Sequence, residues 1–142
     1  MDIIELTRKL CVELQKDEAY IAYASAKKAN DEDKKLQDDI AKFNLVRMQL
    51  DQALSLDNGE ENIDKESTKE KIGKLNAELR DVYSQIMSNE SMVNYNVAKT
   101  KLDTLVNKMN AIITLSIEGE DPMTCEISEG CSGSCSSCSG CN

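Results

Sequence analysis

Apolar residues recur at alternating steps of three and four along most of this chain, and little interrupts them. Ile3, Leu6, Leu10 and Leu14 form one row, and Leu36, Ile40, Phe43, Arg47, Leu50 and Leu54 a second with an arginine inside it. Ile72, Leu75, Leu79, Val82 and Ile86 make a third, and Tyr95, Ala98, Leu102, Leu105, Met109 and Ile112 a fourth. That spacing gathers side chains on one face of a helix and argues against strands, whose apolar residues alternate. The chain holds one Pro and six Gly, four of the latter beyond Glu118, so helix breakers are scarce where the rows run. The expected fold is all-α: about five helices in antiparallel hairpins or a bundle with long members, followed by a flexible tail rich in Cys, Gly and Ser.

Local signals place the boundaries. Asp17 is positioned to cap a short helix, DEAYIAYASAKKA, and Asn30 with Asp33 marks the start of the next. DNG at 57–59 stops it. The helix between would run for about 25 residues, roughly 37 Å, longer than a compact monomer of 142 residues needs. GEENIDKE reads as a solvated connector, and Ser67 with Glu70 has capping-box spacing for the following helix. Asn89 caps the last one, which ends near Ile117, and the periodicity is gone after Gly119 and Pro122. The expected organisation is a helical domain over 1–118 and a cysteine-rich tail over 119–142.

Several single residues call for a reading. Arg47 on an apolar row must find a carboxylate or carbonyls, since an unpaired buried charge costs several kcal/mol; it either fixes helix register as a snorkelling or paired arginine or serves a partner. Met48, Met87, Met92 and Met109 at helical spacing read as core filler. Cys11 reads as a small buried hydrophobe, and the acidic pairs Asp38/Asp39 and Glu60/Glu61 as solvated faces.

The inventory narrows the chemistry. With no His, the usual general base, every Ser-His or Cys-His nucleophile pair and any mixed Cys/His zinc site are missing, and no enzyme active site is expected. The net charge is −9, and five acids (Glu118, Glu120, Asp121, Glu126, Glu129) lie beyond the last lysine, Lys108, which disfavours direct contact with nucleic acid. MDIIELTRKL has no apolar leader core, and no stretch approaches the ~18 apolar residues of a membrane span. A cytoplasmic protein is expected, and in that reducing compartment clustered cysteines more often bind metal than form disulfides.

The cluster is GCSGSCSSCSGCN, with Cys125-x5-Cys131-x3-Cys135-x2-Cys138-x2-Cys141. Thiolates this close on an acidic segment repel one another unless a cation neutralises them. Small residues between the sulfurs leave backbone amides free to hydrogen-bond to them, as thiolate-bound centres require. The all-sulfur set suits an iron-sulfur cluster or a four-thiolate zinc site; one loop often supplies three ligands, and the fourth could be Cys141, Cys125 or a thiol from another subunit, while an unliganded thiol tail also stays open. The x3-x2 spacing also occurs in radical enzymes that use S-adenosylmethionine, but their large α/β barrel does not fit this chain.

FNLVRMQL on the long helix, ELRDVYSQIMSNESMVNY across the last break and KLDTLVNKMNAIITLSIEG at the end together resemble the YlbF/YmcA (Com_YlbF) regulators over about residues 2 to 117. The cysteine tail resembles that of the YlbF branch. Glu90 stands where the family pattern has proline after the asparagine. The resemblance implies an all-α homo-oligomer joined through its long helices and acting without catalysis of its own. It further implies a complex with a YmcA-type paralogue and a YaaT-type protein that carries 4Fe-4S clusters on cysteines. That complex is associated with RNase Y in messenger processing and with competence, sporulation and biofilm formation. Carried over to this chain, the cluster role falls on Cys131, Cys135, Cys138 and Cys141.

Overall fold

A computed structural model describes residues 2–59 and 64–127. They form five helices: α1 (Ile3–Leu14), α2 (Glu18–Glu32), α3 (Lys34–Gly59), α4 (Lys65–Ser88) and α5 (Glu90–Ile117). No strand occurs among the described residues, as the row spacing predicts. The chain divides into two units, one of residues 24–96 and one joining 1–23 to 97–142.

The first unit is built on an α3/α4 hairpin. Leu36 packs with Val82 and Ile86, with Ile40, Phe43 and Met92 around them; further along, Val46, Leu50 and Ala53 pack with Leu75, flanked by Ile72 and Leu79. The early residues of α3 thus meet the late residues of α4, so the two helices run antiparallel. Leu36 and Val82 are wholly buried, and each fully buried side chain of this kind contributes about 1.5–3 kcal/mol. Lys42 and Glu78 add an ion pair across the hairpin at 3.3 Å, about half exposed and so worth little.

The α4 row is buried or half-buried as the sequence predicts, but the α3 row departs from expectation after Phe43. The inward positions are Val46, Leu50 and Ala53, whereas Arg47 is exposed and Leu54 lies on the edge. Phe43 can be followed inward by a residue three or four places on. Choosing Val46 keeps a guanidinium out of the apolar layer and leaves nothing to neutralise. Met48 and Met87 are also exposed, whereas Met92 and Met109 are partly buried.

Capping explains the helix boundaries. Asp17 Oδ1 accepts from Ala19 N at 2.8 Å and opens α2; Asp33 Oδ1 accepts from Leu36 N at 3.0 Å and opens α3. The expected box at Ser67 and Glu70 does not start α4. Asp64 does, accepting from Glu66 N at 3.3 Å and Ser67 N at 3.4 Å, because a carboxylate three residues earlier caps well and lets the helix gain most of a turn. Asn89 Oδ1 accepts from Met92 N at 3.2 Å. Glu90 follows as the first residue of α5, where its charge suits the helix dipole, so the missing proline costs the start of α5 little.

In the other unit the α5 row from Ala98 to Ile112 is buried or half-buried. The helix closes with a Schellman turn: Glu120 N donates to Leu115 O at 3.0 Å and Gly119 N to Ser116 O at 3.2 Å. Gly119 sits at φ +98°, a conformation that favours glycine. The expected burial of α1 does not occur, since none of its residues is buried and Cys11 is exposed. Among the described residues the end of α5 lies across an open groove from α1 and leaves its apolar face exposed.

Candidate functional site

Of the cysteines expected to bind a metal or cluster, Cys131, Cys135, Cys138 and Cys141 lie outside the described residues. Cys125 lies inside them. Asp121 begins a single turn there: its Oδ1 accepts from Met123 N at 2.9 Å, and its carbonyl accepts from Thr124 N at 3.1 Å and Cys125 N at 2.8 Å. Pro122, which has no N–H to satisfy, suits the first position of such a turn. Cys125 is half-buried, and its thiol makes a long sulfur contact with Pro122 O at 3.9 Å. Among the described residues no three Cys, Asp or Glu side chains converge on a position for a metal ion. The thiols from Cys125 onward form an all-sulfur donor set, whose chemistry fits iron-sulfur or zinc ligation.

Within the same unit, α1 and the end of α5 border an open apolar groove of about 550 Å³. Ile3, Leu6 and Leu10 line one side, and Ile112, Ile113 and Ile117 the other. Its two hydroxyls are already engaged, Thr7 Oγ1 donating to Ile3 O at 2.9 Å and Ser116 Oγ to Ile112 O at 2.7 Å. The groove therefore offers almost no polar recognition and a large apolar penalty if left in water. Ile3 is 71% exposed and Ile117 82%, and a contiguous apolar surface of this kind marks a place where something docks.

The hairpin unit carries a polar clasp. Asp33 Oδ2 accepts from Ser91 Oγ at 2.9 Å and from Asn89 Nδ2 at 3.2 Å, while its other oxygen caps α3. One carboxylate thereby joins the N-termini of α3 and α5. The Leu36 N–H, then Ser91 and Asn89, hold the Asp33 carboxyl below its ordinary range, outweighing a small opposing effect of desolvation. Beside it, Asn30 is buried, its carbonyl accepting from Gln37 Nε2 at 2.9 Å. The Asn30 side-chain oxygen has no partner among the described residues.

Asp33 and Asn89 are each legible as caps in the sequence, but not their contact across more than fifty residues, and Ser91 gives no local signal at all. What the clasp can do chemically is hold helix ends in register. Its carboxylate accepts from the Leu36 N–H, Ser91 and Asn89. No described helix is long and apolar enough to cross a membrane.

These features define a class: an all-helical protein with a packed antiparallel hairpin, exposed apolar helix faces and a terminal run of thiols. The chain matches the YlbF/YmcA family, described as control of competence regulator ComK, over residues 3–118, and it belongs to that family. The three motifs that carry the resemblance lie on α3, on α4 through α5, and at the end of α5. No curated protein and no solved structure matches it significantly.

Proposed function

We propose that this chain is a non-catalytic regulatory adaptor acting in the cytoplasm. The observation that carries the reading is the apolar helix α1, with no buried residue of its own, set beside the exposed Ile113 and Ile117 of α5. A protein that leaves such faces to solvent works by being covered. Self-association through the long helices and assembly with a YmcA-type paralogue and a YaaT-type protein would supply that cover. On this reading the complex modulates RNase Y-dependent message processing and, through it, competence, sporulation and biofilm formation.

The same proposal assigns the thiols to a 4Fe-4S cluster held by Cys131, Cys135, Cys138 and Cys141, with Cys125 as a substitute. Support comes from the donor set and its spacing, and from family membership. A cluster so placed makes the adaptor responsive to oxygen and iron supply. The chain's own contribution is the sulfur set, the small residues between the sulfurs, and the Asp121 turn that precedes them.

Oxygen-free purification of the full chain with its partners should give brown material with matched iron and acid-labile sulfide, both lost when Cys131, Cys135, Cys138 and Cys141 are changed to Ser. Zinc alone, or no metal at all, would leave the second reading: a structural helical oligomer whose tail binds zinc or stays an unliganded thiol segment. RNA cleavage by the purified chain would overturn the non-catalytic assignment.

A further inference from the structure

The α3/α4 hairpin has two flanks, and they differ in kind. On one, Lys42 and Glu78 close their ion pair. On the other, Phe43 and Tyr83 meet with ring centroids 6.2 Å apart. At 100° per residue, Arg47 and Leu54 of α3 and Arg80 and Met87 of α4 fall on the Phe43/Tyr83 side. The antiparallel register set by those two cross-helix pairs brings Arg47 level with residues near Asn76. Arg47 and Arg80 are then about one helical turn, or 6 Å, apart along the hairpin.

Both arginines are exposed, and neither has an ion pair or hydrogen bond among the described residues. Lys9, Lys35, Lys74 and Lys99 by contrast each hold a carboxylate one turn away on their own helix. Tyr83 is 54% exposed, with Met87 and Leu54 also open to solvent. Free guanidinium groups beside an aromatic ring, a methionine and a leucine make up the composition found at the centres of protein interfaces.

We propose that this flank docks an acidic amphipathic helix of a protein partner. The occupant's apolar stripe covers Phe43, Leu54, Tyr83 and Met87, and carboxylates on its edge pair with Arg47 and Arg80. Charge selects the occupant: Arg47 and Arg80, with no ion pair among the described residues, stand on one flank and can take carboxylates from a partner. The apolar bodies between them select an amphipathic helix over a free phosphate or a nucleic-acid backbone, neither of which would cover them. The inference rests on the adaptor reading only in requiring that the chain work by docking, and it makes no use of the thiol tail.

The test titrates full-length, oxygen-free chain into three labelled helical peptides that share one leucine stripe and carry Glu, Gln or Lys along its edges, read by fluorescence anisotropy. The Glu peptide should bind about tenfold more tightly than the Gln peptide. Arg47→Ala with Arg80→Ala should remove that advantage, and Arg47→Glu with Arg80→Glu should transfer it to the Lys peptide. All four substitutions lie on exposed helix positions, so circular dichroism should report an unchanged fold. Equal binding of the three peptides, no binding of any, or an order that ignores the charge reversal would overturn the proposal. So would a charge reversal that changes the sedimenting mass of the chain alone, which would make a second copy the occupant. A chain lacking iron and sulfide that still prefers the Glu peptide would remove the cluster assignment and leave this one standing.

Discussion

Leu50 and Leu54 are the same residue type one turn apart on α3, yet they are 8% and 41% exposed. Truncating a leucine to alanine removes three carbon groups, about 2.4 kcal/mol if all were withdrawn from water at ~0.8 kcal/mol each. Scaled by burial, that is about 2.2 kcal/mol for Leu50 and about 1.4 kcal/mol for Leu54. Leu50 also packs inside the cluster of Val46, Ala53 and Leu75, so its removal leaves a void; at ~24 cal/mol per Å³, a partly collapsed space of ~40 Å³ adds about 1 kcal/mol. Space vacated by Leu54 opens to solvent and adds nothing of the kind. Leu50→Ala should therefore cost about 3 kcal/mol and Leu54→Ala about 1 kcal/mol, a small part of the latter being returned by alanine's better helix propensity. Urea unfolding followed by far-ultraviolet circular dichroism measures both. It should be run with reductant and at one fixed protein concentration, because self-association stabilises by mass action. Equal losses, or a larger loss at Leu54, would refute the reasoning, since the buried face would then be the one that contains Arg47.

The clasp makes a pH prediction: Asp33→Asn should destabilise the hairpin at neutral pH. Because Asp33 is held below its ordinary range by Leu36 N–H, Ser91 and Asn89, the wild-type advantage is complete above that range and should shrink as pH falls through and below about 4, as parallel urea titrations of the two proteins will show. Gly119→Ala meets no neighbouring atom within 4 Å, so its cost, about 1 kcal/mol from a side chain at positive φ, should appear as faster hydrogen exchange over the last turn of α5. Leu6→Glu and Ile113→Glu each place a charge in the exposed α1/α5 groove and should lower the mass seen in sedimentation while leaving helicity unchanged. A chain ending at Ile127 keeps the Schellman turn and the Asp121 turn and should unfold at the urea midpoint of the full chain while losing its iron and sulfide.

Much of the fold is legible because helical periodicity is a local property. The α4 row from Ile72 to Ile86 and the α5 row from Tyr95 to Ile112 need nothing beyond spacing, and Asp17, Asp33 and Asn89 need only a short polar side chain before an apolar run. What spacing does not decide is which of two adjacent residues continues a row. At Phe43 it allows Val46 or Arg47, and only the position of α4 settles the choice. Cys11 and the rest of α1 show the converse. An amphipathic helix announces that its face will be covered but does not say whether the cover comes from the same chain. The contact of Asp33 with Asn89 and Ser91 is long-range and has no sequence signature. For the thiols, the sequence supplies donor type and spacing, while Cys131, Cys135, Cys138 and Cys141 lie outside the described residues, so the assignment of the centre stays with chemistry rather than geometry.

The motifs of the family resemblance divide cleanly between stability and surface. In FNLVRMQL, Val46 and Leu50 point into the hairpin, while Asn44, Arg47 and Met48 point out; in ELRDVYSQIM, Val82 and Ile86 are buried, while Arg80, Tyr83 and Met87 are exposed. Inward positions are accounted for by packing, because each helix of the hairpin must bury its apolar face against the other to fold. Outward positions are not, since a soluble helix can carry Lys or Glu there at no cost. On the docking proposal, Tyr83, Met87 and the arginines, which have no ion pair among the described residues, are there for what the hairpin touches. The two sets of residues should therefore separate experimentally, with inward substitutions moving the unfolding midpoint and outward ones moving only binding.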